Sequence, residues 1–151
     1  MKHESQIRQI ISDFLVHLGL DFSDIECEKL TDTEYRVNVT TDSASFLIGS
    51  RGDHLNAMQK VLKPIFHTQL GHDFSVILDI DNYRKRQQEN VLLIAQQKAR
   101  DVHSRGRQEA LPPMSPYFRR AVHLFIQKEF PSLTTESMGQ GNYRQVIIKP
   151  R

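Results

Sequence analysis

The chain has no tryptophan and only one cysteine, Cys27, among its 151 residues. A single cysteine excludes an intramolecular disulfide and leaves a thiolate metal cluster without ligands. Long apolar runs are also lacking, since none approaches the ~20 residues a helix needs to cross a bilayer. The start, Met1-Lys2-His3-Glu4, carries no apolar signal-peptide core. These absences predict a cytoplasmic protein without membrane insertion. What remains, 38% hydrophobic and 25% charged residues, is the composition of a folded protein long enough for one domain or two small ones.

The net charge of +2 hides an asymmetry. Residues 1–80 hold 7 Lys/Arg against 12 Asp/Glu, a balance of −5, and residues 81–151 hold 13 against 6, a balance of +7. A basic half points to a polyanionic partner engaged by that half.

Periodicity supplies the elements. Ile7, Ile10, Ile11, Phe14, Leu15 and Leu18 recur at helical spacing over residues 4–18, with Gly19 as a stop. Residues 25–30 and 35–40 alternate with period two and read as a hairpin. A short helix over residues 44–48, a helix over 53–70 that Pro64 should kink or disturb, and a strand over 74–80 complete an α–β–β–α–α–β order. A long helix follows over residues 83–104, capped by Asp81 or Asn82, with Val91, Ile94, Ala95, Ala99 and Val102 as its buried stripe. Ser115-Pro116 starts another helix, over residues 117–129, which buries Phe118, Ala121, Val122 and Phe125. Two strands, 134–138 and 145–149, flank the turn Gly139-Gln140-Gly141-Asn142. The expectation is an α/β (α+β) protein of two small domains, residues 1–80 and 81–151.

Two strings carry the chemistry. In Ile48-Gly49-Ser50-Arg51-Gly52, between two helices, the glycines let a backbone approach a charged group with no Cβ in the way. The amides of such a loop and of the helix start behind it favour an anion, and a nucleic-acid phosphate is the natural one. No Lys-Ser/Thr follows at Walker spacing. In the basic half, Arg119 and His123 are i and i+4 and share a helix face. Arginine offers a planar fork to phosphate, and histidine a donor that strengthens as falling pH charges its ring. Arg120 and Arg144 extend that surface, and Arg84-Lys85-Arg86 at the start of the long helix adds a further basic turn.

The Gly-x-x-Gly loop within α–β–β–α–α–β resembles a type II KH module, in which this loop clamps a four-nucleotide backbone. The stretches Pro113–Leu124 and Thr134–Arg144, with Val146-Ile147-Ile148, resemble the R-three-H domain, a small domain of helices packed on a short sheet. The two in succession resemble the Jag family of bacteria, the SpoIIIJ-associated proteins, over essentially the whole chain. The resemblance implies binding of single-stranded RNA, with single-stranded DNA as a related ligand. It also implies post-transcriptional control linked to cell-envelope growth or sporulation, with a small KH-domain protein as partner; a homodimer is left open. Many members carry an additional N-terminal domain, and roles resting on it are not expected of this sequence, which begins at the first KH helix. The loop has one basic residue, Arg51, where relatives often have two, so a weaker phosphate contact is expected.

In this reading the loop holds the sugar-phosphate backbone, bases lie in a groove lined by Ile48 and Val39, and Arg119 and His123 converge on one phosphate. Neither a cofactor nor a metal is expected. His67 and His72 lack carboxylate ligands at helical spacing, and Asp79-Ile80-Asp81 lacks the glycine and glutamate of a calcium loop. Ser115 has no histidine–acid partner pattern, so no catalysis is expected. The alternative is a protein-interaction adaptor with little RNA affinity of its own. Salt-dependent affinity for a short single strand separates the two.

Overall fold

The computed structural model describes residues 2–151. In chain order its elements are α1 (Lys2–His17), β1 (Asp24–Lys29), β2 (Glu34–Thr40), α2 (Ala44–Ile48), α3 (Asp53–Leu70), β3 (Ser75–Ile80), α4 (Tyr83–Arg105), β4 (Glu109–Ala110), α5 (Pro116–Glu129), β5 (Leu133–Met138) and β6 (Gln145–Pro150). The chain divides into two compact units, one ending at Lys85 and the other running from Arg86 to Arg151. The division falls inside α4 because the first turn of that helix is bonded back into the first unit, as described below.

In the first unit the sheet order is β1-β2-β3, with β1 antiparallel to β2 and β2 parallel to β3. The hairpin makes the antiparallel pair. A parallel pair needs a crossover, and α2 with α3 supplies it. This is the α–β–β–α–α–β order expected from the periodicity. The core joins Ile7, Ile11 and Leu15 of α1, Val37 of β2, Leu55, Leu62 and Phe66 of α3, and Leu78 and Ile80 of β3. Each such side chain contributes about 1.5–3 kcal/mol by leaving water. Val39 belongs to this core and is fully buried, so it lines no groove for bases. Val39 lies two residues after Val37 on the core-facing side of β2, so the alternation that buries Val37 buries it too. Pro64 lies inside α3 without ending it.

The outer edge of β3 is closed by side chains. The Gln59 amide donates to the Val76 carbonyl at 2.8 Å and accepts from the Leu78 N–H at 2.7 Å. Arg84 Nε donates to the Leu78 carbonyl at 2.9 Å. An exposed edge invites pairing with another strand, and these bonds remove the invitation along β3.

The second unit is a β4-β6-β5 antiparallel sheet. Ala95, Ala99 and Val102 of α4 and Val122 and Ile126 of α5 pack with Leu111, Leu133, Val146 and Ile148. Ile94, expected in the α4 stripe, is 42% exposed, while Leu92 packs against the core. At about 100° per residue, Ile94 is turned away from the line through Ala95, Ala99 and Val102. The two-residue strand β4 is too short to leave a periodic signal. None of the described helices is long and apolar enough to cross a membrane.

Candidate nucleic-acid interface

The glycine loop is shaped by its backbone. Gly49 closes α2, its N–H donating to the Ser45 carbonyl at 3.0 Å, with φ 72° and ψ −174°. A Cβ placed there would lie 2.6 Å from Cγ of His54. His54 cannot easily yield. Its Nδ1 is 2.6 Å from the Phe46 carbonyl oxygen, and its ring meets the Phe46 ring edge-on at 5.5 Å between centroids. Arg51 and Gly52 are also left-handed, with φ of 54° and 81°. Gly52 lies against the Tyr83 ring, which a Cβ would approach to 3.2 Å. Ser50 and Arg51 are therefore exposed at the tip, Gly49 and Ile48 are half-buried, and Gly52 is buried. Gly52 precedes the 18-residue α3 and provides no side-chain cap for its first amides. An uncapped, positively polarised helix start behind an exposed arginine suits an anion.

The basic turn at the start of α4 splits into two kinds of residue. Lys85 and Arg86 are exposed. Arg84 is only 6% exposed, with Nε on the Leu78 carbonyl and Nη2 on Asn56 Oδ1 at 3.1 Å. Its guanidinium holds the edge of β3 and does not belong to the outer surface, contrary to the sequence reading. The expected caps, Asp81 and Asn82, have φ of 46° and 56° and do not cap α4. Asp79, fully buried, does so instead: Oδ1 accepts from Arg84 N at 2.9 Å and Oδ2 from Lys85 N at 3.3 Å.

In the second unit α5 begins at Pro116 with Ser115 as N-cap, extended in backbone and making no side-chain cap bond. Arg119 is half-buried, and its Nη1 donates to the Met114 carbonyl at 2.8 Å. The Met114 N–H in turn donates to the Arg144 carbonyl at 3.1 Å. Arg119 and the backbone of Arg144 thus share one anchor. Burial, and then the positive charge of Arg144, holds the Arg119 guanidinium below its ordinary value. Neither arginine is in an ion pair among the described residues. Arg120 and Arg144 are exposed. Cations gathered without a carboxylate form a ready anion site.

His123 is placed differently from the free, surface-facing partner expected for Arg119. Its ring sits on β5, with Nδ1 2.6 Å from Thr135 Oγ1 and Nε2 2.9 Å from Ser137 Oγ. Burial, and then the charge of Arg119, lowers its pKa. The ring is therefore neutral at neutral pH, and the gain in donor strength expected as pH falls toward ~6.5 is displaced to lower pH. An unfolded chain takes up this proton near pH ~6.5, while the folded site does so only at lower pH. The stabilisation from this site is complete above the unfolded value and is lost as pH falls through the folded one. Melting curves between about pH 7.5 and about pH 5 are expected to fall more steeply for the wild type than for His123→Gln. Parallel pH profiles would contradict this.

Several contributors to these sites leave little or no local trace in the sequence. Thr135 and Ser137 are two apart on one strand, opposite Ile148 and Val146 in the register. Hydroxyls at i and i+2 beside a histidine helix were the available signal. Asn56, Gln59 and Asp79 left none, because their partners lie in other elements.

A family model of the R3H domain matches residues 89–150. Among curated relatives, an RNA-binding protein KhpB of Clostridium symbiosum is 34% identical over 118 residues, 78% of this chain and 53% of its own length. The proteins of the same name from Lactiplantibacillus plantarum and Bacillus subtilis are 30% and 28% identical, covering 76% and 83% of this chain. The chain spans 53%, 35% and 61% of the lengths of these three relatives. A match of 118 residues is longer than the R3H segment, so the similarity extends into the first unit. The chain carries an R3H domain on residues 89–150 and is similar over 78% of its length to a protein named RNA-binding protein KhpB.

Proposed function

We propose that the chain binds single-stranded RNA without catalysing a reaction, and acts in the bacterial cytoplasm as a post-transcriptional regulator linked to envelope growth or sporulation. The observation that carries this reading is the loop Gly49-Ser50-Arg51-Gly52. Its backbone is closed to side chains at Gly49, and its tip presents Ser50 and Arg51 in front of an uncapped helix start. That arrangement suits a phosphodiester backbone, which must come close to amides. Arg119, Arg120 and Arg144 offer a second cationic surface in the half that carries the positive balance. The relatives bearing the name RNA-binding protein support the same ligand. A small KH-domain protein and a second copy of the chain are candidate partners.

The test is binding of the whole chain to a random single-stranded RNA pool across a salt series. Log affinity should fall with log salt by ~0.7 per phosphate contact. Affinity that is absent, or indifferent to salt, would favour the adaptor reading instead.

A further inference from the structure

Tyr143 is 82% exposed, the most exposed of the large apolar side chains among the described residues. It ends a single 3-10 turn, Gly141–Tyr143, between β5 and β6. An aromatic ring left in water forgoes about as much burial energy as any side chain can contribute.

The ring is exposed on a fixed base. Tyr143 N–H donates to the Gln140 carbonyl at 3.1 Å, and Arg144 N–H to the Gly141 carbonyl at 3.2 Å. Gly139, with φ 93°, lies so close that a Cβ there would be 2.9 Å from the Tyr143 carbonyl oxygen and 3.2 Å from Arg144 Cα. The next residue is tied to Met114 through the Arg144 carbonyl, and Met114 carries the Arg119 guanidinium on its own carbonyl. The turn that presents the ring is thus bonded to the segment that positions two unpaired arginines.

We propose that Tyr143 is a stacking platform for one unpaired base of a single strand whose phosphate is held by Arg119 and Arg144. This rests on the single-stranded RNA reading and adds a second mode of contact to it. Stacking on an aromatic face accepts any base, because every base has a π-face. The turn that carries the ring is already ordered, so binding has to order only the side-chain torsions of Tyr143 and not the backbone beneath it. A duplex presents no free base face and gains nothing from the ring.

The experiment uses the whole chain with a random single-stranded RNA pool, the same length of RNA duplex, and an abasic single strand. Tyr143→Ala and Tyr143→Leu are expected to weaken single-strand binding about 5- to 100-fold, the range of one base stack, while Tyr143→Phe stays within about twofold. Melting temperatures should be unchanged, since the ring packs on little. Affinity for the duplex should not move, and Tyr143→Ala should narrow the preference of the wild type for base-bearing over abasic strands. If the wild type binds single strands and Tyr143→Ala binds them equally well, the platform is overturned and the RNA reading stands. If the wild type binds no single strand, both fail.

Discussion

Replacing Ser50 and Arg51 together by aspartate is expected to weaken single-stranded RNA binding about tenfold or more, because two carboxylates would face phosphates at close range in place of a hydroxyl and a guanidinium. The fold should survive the change. Both residues are exposed, so neither is packed in the core. Arg51 has φ 54°, a left-handed conformation that aspartate tolerates better than most residues. Equilibrium binding and thermal melting on the same preparation decide the matter. Unchanged affinity at an unchanged melting temperature would remove the loop from the interface. Gly49→Ala is the informative companion. Its Cβ would collide with a His54 ring held by the Phe46 carbonyl, so binding and stability should fall together.

Asp79→Ala is expected to destabilise the first unit about as much as truncating a large core side chain. The carboxyl is fully buried and takes three backbone N–H groups, those of Ile80, Arg84 and Lys85. Removing it leaves the first amides of α4 without an acceptor, beside a buried Arg84 guanidinium. Unsatisfied buried donors cost about 1–3 kcal/mol each, so a loss of about 3–5 kcal/mol in all is expected. That corresponds to a fall in melting temperature on the order of 10 °C for a chain of this size. Asp79→Asn keeps one acceptor oxygen and should fall between the two. A melting temperature within about 2 °C of wild type for Asp79→Ala would show that the amides find other acceptors. Because Asp79 also ties α4 to β3, this substitution tests why the first unit extends to Lys85.

The fates of the basic residues show how much of the candidate interface was legible. Arg51, Lys85, Arg86, Arg120 and Arg144 are exposed, as charge in a solvated turn or helix face ordinarily is. Arg84 stands in the same basic run and is buried. Nothing local distinguishes it from Lys85. Its partners, the Leu78 carbonyl and Asn56, belong to β3 and α3, and a guanidinium can be buried only where such acceptors converge. His123 shares a helix face with Arg119, as its spacing requires. Which of its faces meets a hydroxyl depends on where β5 lies.

The sequence by itself determined the elements, the two-residue β4 excepted, and the strings that carry chemistry. Apolar residues repeating every 3.6 or 2 positions mark the face that leaves water, and this is a local property. Glycine at Gly49 and Gly52 likewise marks a backbone that no side chain can follow. Tertiary structure alone decided the capping of α4 by Asp79, the closing of the β3 edge by Gln59 and Arg84, and the seating of His123 between Thr135 and Ser137. It also left Tyr143 facing water beside the arginines. These are polar contacts or exposures that depend on which elements meet, and a directional hydrogen bond, unlike apolar burial, leaves no periodic trace in the chain.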